Sequence, residues 1–329
     1  MLPNTSRLIV EPDDGMTPVL EFFASAQESL LIKQFTFTED RFIDAVIERK
    51  NAGLDVRVML NAKRSGGDRA NDDTFERFVN AGIAVQWSSP SFYVTHEKSV
   101  VVDGKAALVA TFNMCEKYFT LTRDYGVITY DPVHVAQIID VFNADWEHRE
   151  WTPAAFEGLL WSNSNSRLHM AHFIDSAQHR LDIQHPKYVD AVILDHIAAA
   201  ADRGVKVHVL CGGKHGISEW DILDTFASLR TLRRFGVKVH KQKNLRVHAK
   251  LLIADSERAL VGSMNIDRSA FDLRRELGIL ESDPVVVGRL KTIFDFDWDL
   301  SHQYEPPDPI DAANHVEDDF PHDAELVHE

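Results

Sequence analysis

Two histidine–lysine pairs recur in this chain at a fixed interval. His96-x-Lys98-x4-Asp103 is followed by Asn113, and His248-x-Lys250-x4-Asp255 is followed by Asn265; every one of these positions repeats after 152 residues. On a strand, residues i and i+2 project to the same face. His96 and Lys98 therefore point together, as do His248 and Lys250, while Glu97 and Ala249 point the other way. Each copy then reaches a hydroxyl and an amide, Thr111 with Asn113 and Ser263 with Asn265. An imidazole, an ammonium, a hydroxyl and an amide make a set that binds a phosphoryl oxygen and supplies one proton-transfer or nucleophilic group.

One such set is half a site. Displacement at phosphorus needs a nucleophile on one side and an acid for the departing oxygen on the other. Pairing the two copies about a pseudo-twofold axis puts a histidine on each side and leaves two lysines and two asparagines to hold the equatorial oxygens. Histidine suits both roles because its unperturbed pKa of about 6.5 lies near working pH. With the lysines supplying positive charge, the set calls for neither a metal nor a cofactor. A single His-x-Lys-x4-Asp occurs by accident; two in register do not.

The elements that must position these residues repeat as well. Residues 96–146 align with 248–298 without a gap, including Ala107-Leu108-Val109 with Ala259-Leu260-Val261, Gly126 with Gly278, and Asp145-Trp146 with Asp297-Trp298. Earlier segments match at an offset of 151, as in Lys63 with Lys214. A period this long means two copies of a domain rather than a solenoid. The boundary falls near Trp151–Arg167. The organisation expected is a first lobe over 1–152, a second over 153–304 and an acidic tail over 305–329.

Within each lobe the pattern is α/β. Helices over 22–29, 42–52 and 73–81 alternate with strands over 30–37, 56–60 and 83–87, with Gly53 and Gly82 as helix stops. The second copy follows with helices over 189–203 and 221–235 and strands over 205–210 and 237–240. The motif itself enters a hairpin, in which 98–102 turns at Asp103-Gly104 and 106–111 returns. Asp103 and, by symmetry, Asp255 sit in the turn and read as turn-forming rather than reacting groups. The fold expected is α/β: two pseudo-twofold-related copies of a mixed β-sheet flanked by helices on both faces, with the active site at their interface.

The composition limits the partners. The apolar share of 44% is that of a globular protein, and the net charge of -16 disfavours a broad nucleic-acid footprint. Nine acids and no Lys or Arg lie between Glu305 and Glu329, the pattern of a solvated tail. Cys115 and Cys211 are too few for a disulfide framework. No stretch approaches a membrane span and no secretory signal is visible, so the expectation is a cytoplasmic protein, peripheral if it meets a membrane. The loops Lys63–Gly67 and Gly212–Gly216 follow equivalent strands and are candidates for the substrate mouth. Trp87, Trp161 and Trp220 read as core.

The paired motifs resemble the phospholipase D superfamily over roughly residues 7–300. The second copy, ending in Gly262-Ser263-Met264-Asn265, follows that pattern closely; the first has Ala110-Thr111 where Gly-Ser is usual. The resemblance implies transfer through a phosphohistidine, with His96 as nucleophile and His248 as acid, then base. It also implies that acids downstream of each asparagine, here Asp124 and Glu276, hold the opposite histidine and fix its tautomer. The competing reading of these acids is a salt bridge to the adjacent Arg123 or Arg275. The function expected is hydrolysis or transphosphatidylation of glycerophospholipids, for which a monomer suffices. The alternative is a metal-independent endonuclease, marked by a basic track through Lys63, Arg64, Lys214, Lys243, Arg246 and Arg268. A cardiolipin-synthase-like transferase ranks behind on the sequence, because such enzymes commonly carry amino-terminal membrane helices.

Overall fold

The structure is a computed structural model that describes residues 6–64, 66–213, 217 and 219–310. Lys214–Gly216, Ser65, the side chain of Trp220 and most of the acidic tail lie outside the described residues. The first lobe runs β1 (Ser6–Glu11), α1 (Thr17–Ala24), β2 (Ser29–Gln34), α2 (Asp40–Asn51), β3 (Asp55–Leu60), α3 (Asp72–Asn80), β4 (Ala84–Trp87), β5 (Ser99–Val102), β6 (Ala106–Ala110), β7 (Thr122–Thr129) and α4 (Pro132–Trp146). The second runs β8 (Leu159–Trp161), α5 (Ser166–Asp175), β9 (Arg180–Gln184), α6 (Ala191–Asp202), β10 (Lys206–Cys211), α7 (Glu219–Arg234), β11 (Lys238–Lys241), β12 (Arg246–Val247), β13 (Leu251–Ala254), β14 (Arg258–Gly262), α8 (Arg268–Asp272), β15 (Leu277–Glu281), α9 (Pro284–Leu300) and β16 (His302–Gln303).

The two sheets have one topology. The first is ordered β1-β7-β6-β5-β2-β3-β4, and the second, read the same way, β8-β15-β14-β13-β9-β10-β11, with β16 added at its edge. Both are mixed: β2 and β3 are parallel, while β5, β6 and β7 are antiparallel. Of the helices expected from the sequence, the first lies earlier, at Thr17–Ala24 instead of 22–29, with Ser29 already in β2, and the others are present with ends displaced by one or two residues. β1 and β8, which close each sheet, carried no clear alternating pattern.

Three cores organise the molecule. The outer face of the first sheet packs under α1, α2 and α3 through Ile32, Val58, Val100, Phe23, Phe42 and Phe78. The outer face of the second packs under α5 and α6 through Ile183, Val209, Leu252 and Ile193. The third core joins the lobes: Leu31, Val101, Val109 and Val127 meet Leu251, Ile253, Val261 and Ile279, with Val141 and Phe142 of α4 and Leu290 and Phe294 of α9 filling the seam. A shared apolar core of this kind fixes the lobes against each other.

Buried ion pairs lock the seam crosswise. Arg275 of the second lobe grips Asp145 of α4 through two hydrogen bonds of 3.0 and 2.7 Å. Its repeat partner Arg123 grips Asp297 of α9 at 2.8 and 3.0 Å. Planar guanidinium meeting carboxylate in a fork gives direction as well as energy. The lobes differ beneath this symmetry. Lys33 bonds Glu97 at 2.9 Å and Asp145 at 2.7 Å, whereas Gln184 and Ala249 stand at the matching places in the second lobe. Glu97 is therefore turned away from its motif neighbours, as strand parity required.

The hairpin turns have a structural task. Asp103 takes φ +53° and accepts backbone N–H groups of Gln27, Glu28 and Ser29; Asp255 does the same for Gln178, His179 and Arg180. These aspartates tie each hairpin to the strand beside it. In the first lobe Ala110 faces Gly126 across the β6–β7 ladder. In the second lobe Gly262 faces Gly278, and a Cβ on Gly262 would come within 2.6 Å of the Gly278 Cα.

Candidate active site

Each motif is held by the other lobe. The backbone N–H groups of His96 and Glu97 both donate to the Arg275 carbonyl at 2.9 Å. Those of His248 and Ala249 donate to the Arg123 carbonyl at 3.3 and 2.9 Å. β12, just ahead of the second motif, adds to β7 of the first lobe. The residue that follows each arginine is the acid that braces the opposite histidine, so one strand end fixes both the backbone and the ring across the seam.

His96 Nδ1 lies 2.9 and 3.0 Å from the two carboxylate oxygens of Glu276 and 3.1 Å from the Ser263 carbonyl. A carbonyl only accepts, so Nδ1 carries the proton and Nε2 keeps its lone pair. His248 Nδ1 lies 2.6 Å from Asp124 Oδ1. The arginines beside these acids pair with Asp145 and Asp297 instead, so the salt-bridge reading of Asp124 and Glu276 gives way to the crossed bracing.

Each lysine stays beside its own motif histidine. Lys98 Nζ donates to the His96 carbonyl and Lys250 Nζ to the His248 carbonyl, each at 2.7 Å. Lys250 Nζ also lies 2.9 Å from His248 Nε2. Phe35 meets the His96 ring edge-on at 4.7 Å, and Tyr118 lies 4.7 Å from the His248 ring. His96, Lys98, His248 and Lys250 are all buried. Asn113 and Asn265 are buried beside them, and the Asn265 carbonyl oxygen meets no hydrogen-bond partner in the protein.

Thr111 and Ser263, expected at the phosphate, are engaged elsewhere. The Thr111 hydroxyl donates to Asp124 at 2.5 Å and accepts the Tyr125 N–H at 2.8 Å. The Ser263 hydroxyl donates to the Leu277 carbonyl at 3.3 Å and accepts the Leu277 N–H at 3.1 Å. Both stand behind the histidines and steady the strands that carry the acids.

The electrostatics distinguish the two halves. Burial, with Lys98, Lys250, Arg274 and His248, pushes the proton affinity of His96 far below the ordinary imidazole value. Burial, helped by Lys250 and Lys98, lowers His248 to about 4 against the opposing pull of Asp124. Each histidine thus feels the lysines of both lobes, the electrostatic signature of one shared pocket. Burial works against an ionised Asp124, but His248, Lys250 and the Thr111 hydroxyl hold its pKa below the ordinary value. Burial drives Glu276 up to about 8, despite Arg274 and Lys98. Burial and the neighbouring Lys98 hold Lys250 well below an ordinary lysine. A negative charge at Asp124 and a largely quenched one at Glu276 make His248 the better proton holder.

Some residues of this region carried no sequence signal. Arg274, Lys187 and His185 are buried on the second-lobe side, with Lys187 paired to Asp221 at 2.6 Å and Asp267 at 3.2 Å. Their repeat partners are Thr122, Thr36 and Gln34, so comparing the lobes could have marked them as an asymmetry. Among the described residues, no group of three or more His, Cys, Asp or Glu side chains is placed to hold a metal ion.

With this geometry in place, comparison with known proteins gives a consistent class. The family described as "Cardiolipin synthase, PLD-like domain" matches twice, over residues 19–146 and 170–298. The chain belongs to this family of phospholipase D-like enzymes. It is similar to "Cardiolipin synthase 1" of Staphylococcus aureus, 26% identical over 336 residues and 89% of this chain. It is also similar to "Major cardiolipin synthase ClsA" of Bacillus subtilis, 24% identical over 346 residues and 92% of this chain. The chain spans 67% and 70% of these relatives and 65% of the Staphylococcus epidermidis "Cardiolipin synthase 1". In fold it is similar to a phosphatidylserine synthase of Haemophilus influenzae, with a TM-score of 0.75 at 13% identity over 93% of this chain and 89% of that one. It also overlays 47% of a Porphyromonas gingivalis polyphosphate kinase with a TM-score of 0.70.

Proposed function

We propose that the chain is a phosphatidyltransferase or hydrolase that works on glycerophospholipids through a phosphohistidine. The observation that carries this reading is the crossed pair of braced imidazoles, His96 on Glu276 and His248 on Asp124, with Lys98 and Lys250 beside them. The phosphodiester anion lies between the lysines, and Asn113 and Asn265 donate to its free oxygens. His96 Nε2 attacks phosphorus, the bond from phosphorus to the headgroup oxygen breaks, and His248 gives that oxygen a proton. An acceptor hydroxyl then attacks the phosphohistidine, His248 takes the hydroxyl proton, and the phosphorus–nitrogen bond breaks.

The order of the histidines follows the asymmetry. His248 faces an ionised Asp124 and has the Lys250 ammonium hydrogen-bonded at Nε2, so a proton already lies next to the atom that must deliver one. The bound diester offsets the two lysines and raises the proton affinity of His248 when the acid is needed. His96 has the more strongly depressed proton affinity and keeps a free Nε2 lone pair, as a nucleophile requires.

Lipid is favoured over nucleic acid. The relatives are cardiolipin synthases, and two of the three arginines expected to line a basic track sit beside acids: Arg64 by Asp68 at 3.2 Å, Arg268 by Asp272 at 3.4 Å. The transferase reading, ranked behind for want of amino-terminal membrane helices, moves forward, because the relatives this chain matches are cardiolipin synthases. No helix among the described residues is long and apolar enough to cross a membrane, which is compatible with peripheral contact. The test is incubation with phosphatidylglycerol, phosphatidylethanolamine and phosphatidylcholine, with and without glycerol or ethanol. The expected products are phosphatidic acid, a phosphatidylalcohol or cardiolipin; none from any lipid, with cleavage of single-stranded nucleic acid instead, overturns the reading.

A further inference from the structure

Arg274 has no counterpart in the first lobe and no task in the mechanism above. It lies two residues before Glu276, and its repeat partner is Thr122, whose hydroxyl serves Asp124 at 2.5 Å. The arginine is 7% exposed. Its Nε is buried without a hydrogen-bond partner in the protein. The acid nearest it, Asp267, is 3.8 Å from Nη1, beyond hydrogen-bond reach. Asp267 is already engaged by Lys187 at 3.2 Å and by the Ser269 hydroxyl and the Ala270 N–H at 2.7 Å each. The backbone around Arg274 is held, with its carbonyl accepting the Ser162 hydroxyl and its N–H bonding the Ser269 carbonyl at 3.0 Å.

A buried guanidinium that leaves its donors unused is costly, and native proteins seldom keep one idle. The fork geometry of those donors matches phosphate or carboxylate. Its charge acts on both His96 and Glu276, so it stands at the edge of the shared pocket on the His96 side. The nearby Lys187 is matched by Asp221 and Asp267, which leaves Arg274 as the loosely paired cation of this cluster.

We propose that Arg274 forms a second anion subsite beside the phosphodiester pocket, suited to a substrate that carries another acidic group, phosphate above all, a few bonds from the phosphate being transferred. This rests on the lysine pocket holding the first phosphate and adds what the pocket selects. A lipid with a single acidic headgroup phosphate fills one subsite; a lipid or acceptor with two fills both.

The test is calorimetric binding of two probes that the enzyme cannot cleave: methylphosphonate, with one anionic group, and a propane bisphosphonate with a phosphonate at each end. The intact protein is expected to bind the bisphosphonate about ten- to a hundred-fold more tightly, the range of one or two charged hydrogen bonds. Arg274→Gln and Arg274→Thr are expected to erase that advantage while lowering methylphosphonate binding only slightly, through the lost nearby charge. An advantage that survives both substitutions, or an equal loss for both probes, overturns the subsite and leaves the phosphate pocket standing. Failure of the intact protein to bind methylphosphonate at all removes the pocket, and the subsite with it.

Discussion

Asp124→Asn separates the roles of the two histidines. The carboxylate accepts His248 Nδ1 at 2.6 Å and the hydroxyls of Thr111 and Thr122 at 2.5 Å each. Thr111 Oγ already accepts the Tyr125 N–H, so the new amide nitrogen settles at the Thr122 side, where a hydroxyl can turn to accept it. The oxygen then stays with His248, and the substitution removes the charge while keeping the hydrogen bond. A charge-assisted bond exceeds a neutral one by roughly 1–2 kcal/mol. That lowers the proton affinity of His248 by about one pH unit or slightly more. An acid that must start protonated loses activity as pH rises, so the alkaline limb of kcat/KM is expected to move down by about that amount, with the acid limb unmoved. At the former optimum the rate falls by up to about ten-fold. The assay is release of headgroup from mixed micelles across a pH series. An acid limb that moves while the alkaline limb stays would reverse the assignment, and coincident profiles would remove Asp124 from the proton chemistry.

Other outcomes follow from the same contacts. Glu276→Gln is expected to leave the acid limb nearly in place, because burial already keeps Glu276 protonated across that range; a large shift in the same micelle assay would contradict it. Asp145→Ala strands the buried Arg275 and leaves Lys33 to Glu97 alone, and is expected to cost about 3–5 kcal/mol in denaturant unfolding, the range for breaking a buried pair from one side. Glu11 is buried with both carboxylate oxygens unpartnered, opposite Asp124 in the register, and burial lifts it to about 9. A pKa raised in the folded state gives stability that is whole below about 4.5 and is lost as pH rises to about 9, at about 1.4 kcal/mol per pH unit. Glu11→Gln is expected to flatten that decline in thermal unfolding measured from acid to alkaline pH; an unchanged slope would contradict it. Activity is expected to survive exhaustive chelation, since Lys98 and Lys250 carry the charge; restoration only by added metal would contradict that.

Much of the fold was legible because it is periodic or repeated. Parity placed His96 with Lys98 and turned Glu97 away, and Asp-Gly announced the first hairpin. The register of the two copies implied a shared pocket before any coordinates. What stayed hidden crosses the seam. Arg275 holding Asp145, and the Arg275 carbonyl taking the His96 N–H, join residues with no local pattern between them. The repeated Asp145-Trp146 and Asp297-Trp298 pairs were the trace of it, and it could not be decoded from one lobe alone. Thr111 and Ser263 were placed in the right neighbourhood, but a hydroxyl that both donates and accepts can serve a carboxylate as readily as a phosphate, and strand spacing does not choose. Arg274 and Glu11 were missed because each breaks the repeat, where pattern reading is weakest.

The central claim is that His96 forms a covalent bond to phosphorus while His248 moves the proton. Intact-protein and peptide mass spectrometry of the His248→Asn variant, quenched at high pH after brief exposure to short-chain phosphatidylglycerol, tests it directly. A phosphatidyl adduct on the peptide that contains His96, absent in His96→Asn, is the result expected. An adduct on another residue, or lipid turnover at the intact rate in either variant, would contradict it.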